Sequence, residues 1–262
     1  MKCFEDINVL QTRFHKVTVC ELIQYIVEAA QIEKKSIVGN VNVRAMNFAC
    51  ELPWYRSYLN NSDLVFCDGF GVTLGAKLSG YSIQSKHRMT CPDFIEDLAL
   101  ACEERDVSVF LVAGKPGVVD KAIVQLKAIA PKLRIEGHHG YFEKLGEEND
   151  AIIQKINQFK PDVLYVGFGM PLQERWILDN MERIDARVFL PLGACLDFYT
   201  GSVYRGPRWA TDRGLEWLTR FITEPHRLWE RYLVGNPLFL YRVLKERIAQ
   251  IRTRSTSKVL ER

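Results

Sequence analysis

The sequence predicts an α/β fold: a Rossmann-like, mostly parallel sheet with helices on both faces, plus a C-terminal basic amphipathic helical appendage. Three observations carry this. Short apolar runs alternate with longer helical patterns over most of the chain. The runs are apolar at every position rather than every second one, as strands buried on both faces are. Positive charge is concentrated after residue 204.

In chain order, a strand around 7–14 and a helix around 18–34 form a pair expected to pack at one edge. Parallel strands follow at 36–42 (SIVGNVN), 63–68 (DLVFCD), 107–114 (VSVFLVAG), 162–169 (DVLYVGFG) and 187–193 (RVFLPLG), each closing on Gly, Asn or Asp. Helices are expected near 43–59, 70–79, 92–105, 116–130, 146–159 and 171–184, which makes the βαβ rhythm of a doubly wound sheet. Pro116, Pro161 and Pro171 fall at element boundaries, where a missing N–H costs little. The division expected is a core over 1–204 and an appendage over 205–262.

With 262 residues, 47% hydrophobic and 26% charged, the chain suffices for one large core and its appendage. The N-terminal stretch lacks the apolar run of a secretion signal, and no segment reaches the roughly 18 to 20 apolar residues of a spanning helix. The expected location is the cytoplasm. Seven cysteines without any C-x-x-C pair suit a reducing compartment and argue against a disulfide framework or a zinc site. Cys67, among apolar strand residues, reads as a core thiol rather than a nucleophile.

In such sheets ligands bind beyond the carboxyl ends of the strands. Those ends carry Asn40 and Asn42, Asp68 with Gly69, Gly114, Gly167 and Gly169, and Gly193. Glycine turns leading into helices can hold phosphate on N–H groups, and this set favours a nucleotide or nucleotide-sugar. Neither a full G-x-G-x-x-G nor a Walker A loop occurs. Arg88 has no helix-start role, unlike Asp93 after Pro92, and its planar fork suits a diphosphate leaving group. Glu174 reads as a helix-start acid complementing the dipole. Gln173 is left to meet a uracil or a sugar hydroxyl. His138 and His139, adjacent in an extended segment, point to opposite faces and read as a solvated loop pair rather than metal ligands. No D-x-D occurs, so the reaction is expected to need neither metal nor cofactor.

Residues 205–254 hold eleven Lys and Arg against five acids, a balance of +6 in a chain whose total is +3. The arginines interleave with Trp209, Trp217, Phe221, Trp229, Tyr232, Phe239 and Tyr241. Such a pattern favours an anionic membrane surface over nucleic acid, whose fold signatures are missing. Part of the stretch is expected to pack on the core, and apolar patches left on the appendage leave self-association into a homo-oligomer open.

The chain resembles the WecG/TagA/CpsF bacterial glycosyltransferases from about residue 36 to 233. The marks are VNVRAMNFA, DLVFCDGFGV, HRMTCPDF, GFGMPLQERWI, LPLGACLDFYTGSVYRGPRW and RGLEWLTRFITEPHRLWERYL. The resemblance implies inverting transfer of a hexose, N-acetylhexosamine or its uronic acid from a UDP-sugar. The acceptor implied is an undecaprenyl-diphosphate-linked sugar at the inner face of the bacterial cell membrane, in cell-surface polysaccharide or teichoic-acid-type assembly. It further implies Asp68 as general base, Asn40, Asn42, Arg88 and Gln173 in the substrate pocket, and an appendage bearing Arg205, Arg208, Arg220, Arg227 and Arg231 that closes the site and touches the membrane. Two positions depart from the family pattern, Asn40 for Thr and Cys91 for Gly, and bear on which sugar is recognised. The rival classes are a Rossmann-type oxidoreductase or epimerase, which lacks its glycine fingerprint here, and a non-catalytic membrane-bound assembly factor, which would tolerate loss of Asp68, Arg88 and Gln173 together.

Overall fold

A computed structural model describes residues 4–206, 216–223 and 225–260. Six parallel strands form the sheet: β3 (Ser36–Val41), β4 (Leu64–Cys67), β5 (Val109–Ala113), β6 (Ile135–His139), β7 (Val163–Gly167) and β8 (Val188–Pro191), in the order β4-β3-β8-β7-β5-β6. The chain steps from β3 out to β4, then crosses to the far half, so the order reverses beside β3. Side chains alternate across the sheet. Leu64 and Phe66 of β4 and Leu111 and Ala113 of β5 face one core; Val65, Cys67, Phe110 and Val112 face the other. Burial of both faces is why these strands read as unbroken apolar runs.

The first core is covered by α1 (Val19–Ala30), α5 (Ile95–Glu104), α6 (Val118–Ile129) and α9 (Cys195–Tyr199). The second is covered by α2 (Val43–Glu51), α3 (Pro53–Asn61), α4 (Phe70–Leu78), α7 (Gly146–Phe159) and α8 (Leu172–Asn180). Local chemistry starts these helices: Thr18 and Glu21 close a capping box on α1, and the Asn42 Oδ1 accepts from Ala45 N at the start of α2. The single helix expected over 43–59 is two. Pro53 has no N–H and pushes Leu52 into extended backbone, so the chain turns there.

Two further expectations are corrected. The segment around 7–14 is an antiparallel hairpin, β1 (Glu5–Val9) and β2 (Thr12–Lys16), turned by Leu10 and Gln11 at φ of 53° and 59°. It packs on β4 through His15, whose Nδ1 accepts from Val65 N at 2.9 Å. His138 and His139 end an edge strand, β6, and are half-buried rather than in a solvated loop. Their rings lie 4.1 Å apart.

The C-terminal segment comprises α10 (Glu216–Thr223), α11 (Pro225–Trp229), a π-helical turn over Glu230–Val234, and α12 (Gly235–Leu260). The start of α12 is seated on the core. Phe239 and Val243 are buried, and a Cβ on Gly75 of α4 would lie only 2.5 Å from the Phe239 ring. Arg242 donates to Asn47 Oδ1 at 3.0 Å and to Glu51 at 2.9 Å, Asn47 donates to Gly235 O at 2.8 Å, and Glu246 accepts from Leu10 N. Ile222, Trp229, Leu233 and Val234 remain exposed. No helix among the described residues is long and apolar enough to cross a membrane.

Candidate active site

A cavity of about 1580 Å³ opens at the carboxyl ends of the strands. Asn40, Asn42, Asp68, Gly69, Arg88, Gly114, Gly167, Gly169 and Gly193 all line it, together with Arg231 from the C-terminal segment. The switch in strand order beside β3 places it there.

Asp68 follows β4 directly, its N–H bonded to Val41 O at 2.8 Å. Gly69, at φ of 96°, then turns the chain into α4, a conformation that a side chain would strain. Asn42 serves two partners: its oxygen caps α2, and its Nδ2 donates to Asp68 Oδ2 at 3.3 Å. The cap fixes which end of the amide meets the carboxylate. Asn40 is buried, its Nδ2 donating to Pro191 O at 2.6 Å and stitching β3 to β8. Arg88 forms a parallel bridge with Cys67, and Met89 N donates to Cys67 O, which brings the Arg88 backbone beside the end of β4. Burial pushes the Cys67 thiol far up, reinforced by the charge of Asp68, so it supplies no thiolate.

The opposite wall is made of glycine turns. A Cβ on Gly167 would lie 2.6 Å from Gly193 O and from the Ala113 Cβ, so the turns after β5, β7 and β8 meet at backbone range. Lys144 pins the loop after β6, donating to Gly140 O and Phe142 O at 2.8 and 2.6 Å with its ammonium over the Phe142 and Phe168 rings. Burial lowers its pKa. Lys144, Arg44 and Lys115 line the cavity as well and were not singled out from the sequence, although Lys115 sits in the glycine turn that was.

Gln173 requires correction. It is fully buried and does not line the cavity; its Oε1 accepts from Gly169 N at 3.2 Å and Gly193 N at 3.0 Å, and its Nε2 donates to Glu174 Oε1 at 2.8 Å. Its oxygen is fully used and the side chain does not reach the cavity, so it does not meet a uracil or sugar there. Glu174 is corrected too: it is 2% exposed, and burial raises its pKa from 4.5 to about 7 against the hydrogen bond from Gln173 and the charge of Arg44. The third correction concerns the thiols. Cys91 and Cys195 are joined in a disulfide at the cavity wall. They lie 104 residues apart, in a 3-10 turn (Cys91–Asp93) and at the start of α9, so no local spacing announced the pair.

Asp93 closes that turn with Thr90 and also pairs with Arg205 at 2.7 Å; Arg205 reaches Thr90 Oγ1 at 2.5 Å. The start of the appendage is thereby tied to the loop carrying Arg88. Arg208 lies outside the described residues, as do the side chains of Arg220 and Arg227. Among the described residues no three His, Cys, Asp or Glu side chains converge as a metal site would require.

A doubly wound sheet with an acid and several cations around one cleft at its strand ends defines a Rossmann-like fold with a ligand cleft. The chain belongs to the glycosyl transferase WecG/TagA/CpsF family, whose profile matches residues 7–253, and it is a glycosyltransferase. Among its relatives are N-acetylglucosaminyldiphosphoundecaprenol N-acetyl-beta-D-mannosaminyltransferases of Staphylococcus aureus. Those of strains NCTC 8325 / PS 47 and MRSA252 are each 24% identical over 243 residues, covering 91% of this chain and 92% of theirs.

Proposed function

We propose that the protein transfers a hexose or N-acetylhexosamine(uronic acid) from a UDP-sugar to a sugar carried on undecaprenyl diphosphate, with inversion and without a metal ion. The relatives' names support an acceptor of this kind. The observation that carries the reading is Asp68: a carboxylate on the cavity wall, oriented by Asn42 and set apart from the glycine turns that suit phosphate. The acceptor hydroxyl attacks the anomeric carbon as its proton passes to Asp68; the bond from that carbon to the UDP oxygen breaks, and UDP leaves with the electron pair. A positioned base of this sort contributes about 10² to 10⁴ in rate. Charge on the departing diphosphate is met by Arg88 and by Arg231, both on the cavity wall.

On this reading the enzyme works at the inner face of the cell membrane, and exposed Ile222, Trp229, Leu233 and Val234 within a basic segment supply the contact. The test is Asp68→Asn with a UDP-sugar panel and a short-chain lipid-diphosphate sugar, with and without EDTA. UDP affinity is expected to hold while turnover falls at least about a hundredfold. Wild-type turnover in the variant removes Asp68 from the mechanism, and loss of transfer on chelation removes the metal-free route.

A further inference from the structure

The two glycine turns at the floor of the cleft are held by one side-chain amide. Gly169 N and Gly193 N are both donors, so the atom between them must be an acceptor, and it is Gln173 Oε1. A flipped amide would have nearly the same shape and would set an NH2 against two N–H groups. That clash already disfavours the flip, and the other amide end adds to it, because its partner is Glu174 Oε1, which accepts from Nε2 at 2.8 Å. Glu174 is itself seated beneath the cleft near the phenols of Tyr55 and Tyr58 on α3 and the guanidinium of Arg44 on α2. The chain therefore runs from the β3–β4 half of the sheet, through Glu174 and Gln173, to the turns after β7 and β8.

We propose that Glu174 is a positioning residue for sugar transfer: by accepting from Gln173 Nε2 it keeps the amide oxygen on the Gly169 and Gly193 N–H groups and fixes the turns that carry the donor. The role in transfer rests on reading those turns as the UDP-sugar site; the pairing itself does not. Glu174 touches neither substrate nor reacting atoms and acts through Gln173. Because the pair needs one acceptor end and one donor end in a fixed order, exchanging the two side-chain types should preserve it. A carboxylate at 173 still accepts from both glycines, and an amide at 174 donates back to it.

The experiment compares four full-length variants, Gln173→Glu, Glu174→Gln, the double exchange Gln173→Glu/Glu174→Gln, and Glu174→Met, by amide hydrogen exchange over 167–174 and 192–195 and by steady-state kinetics with a UDP-sugar. Gln173→Glu sets two carboxylates together, which keep their bond only by taking up a proton, so it is assayed at pH 8 and above; Glu174→Met removes the acceptor at any pH. Each is expected to raise exchange in both segments and donor KM about tenfold, with a smaller change in kcat, as loss of one buried hydrogen bond to a charged group predicts. Glu174→Gln keeps an acceptor and stays within about threefold of wild type, and the double exchange returns both readouts to that range. A double exchange as impaired as Gln173→Glu, or Glu174→Met with wild-type exchange and KM, overturns the assignment. If the wild type turns over no UDP-sugar, the donor reading falls, while exchange at the two turns still decides the pair.

Discussion

Replacing Glu174 by glutamine removes one titratable group from a place closed to water while keeping the side chain's shape and its acceptor for Gln173 Nε2. Its pKa rises from 4.5 to about 7 on folding, so between those values the folded chain holds a proton that the unfolded chain has released. Stability tied to that proton is fully present below 4.5 and lost as pH rises through 7. With about 1.4 kcal/mol per unit, the loss is about 0.8 kcal/mol at pH 5 and about 3.4 kcal/mol at pH 8. Glutamine does not titrate. Glu174→Gln is therefore expected to gain about 2.5 kcal/mol over the wild type on going from pH 5 to pH 8. Urea unfolding of both proteins at the two pH values measures this, and the difference between them cancels every other titrating group. A gap that stays constant between pH 5 and pH 8 refutes the burial argument for this carboxyl.

Three more outcomes follow from geometry. His15 is kept below its ordinary value of 6.5, first by burial and then by Arg13, and its neutral Nδ1 accepts from Val65 N; stability tied to it is present above 6.5 and lost as pH falls. Wild type should lose more stability than His15→Asn between pH 7.5 and 5.5 in urea unfolding, and equal losses would count against the contact. Reducing the Cys91–Cys195 link opens a loop spanning 104 residues and should cost up to about 4.7 kcal/mol on the chain-entropy scale. Unfolding midpoints with and without dithiothreitol, alongside alkylation mass shifts, check it; identical midpoints would show that the link contributes nothing. Trp229→Ser/Leu233→Ser should weaken binding to anionic vesicles about tenfold or more, read by co-sedimentation, and unchanged binding would leave these side chains without a membrane role. Deletion after residue 204 is a poorer test, because it strips Phe239 and Val243 from the core.

The parallel strands were legible because burial on both faces leaves unbroken apolar runs, and strand ends such as Asn42, Asp68 and Gly193 were legible because the fold class says where ligands sit. β6 escaped because it is an edge strand and carries Glu136, His138 and His139. The hairpin escaped because Leu10 and Gln11 adopt positive φ without the Asn or Gly that usually announces such a turn. Gln173 and Glu174 were placed near the right turns but given the wrong surroundings. Whether a polar side chain at a helix start meets solvent or core depends on what packs over it, here Tyr55 and Tyr58 from a helix more than a hundred residues earlier. The disulfide was hidden for the same reason.

The nine-residue helix α2, about 13 Å long, is gripped twice. At its N-cap Asn42 holds the acid; along its flank Asn47 and Glu51 hold Gly235 and Arg242. No break lies between the grips. Tail and Asp68 are thus mounted on one stiff rod, and a tug on the former is delivered to the latter with no hinge in between to absorb it.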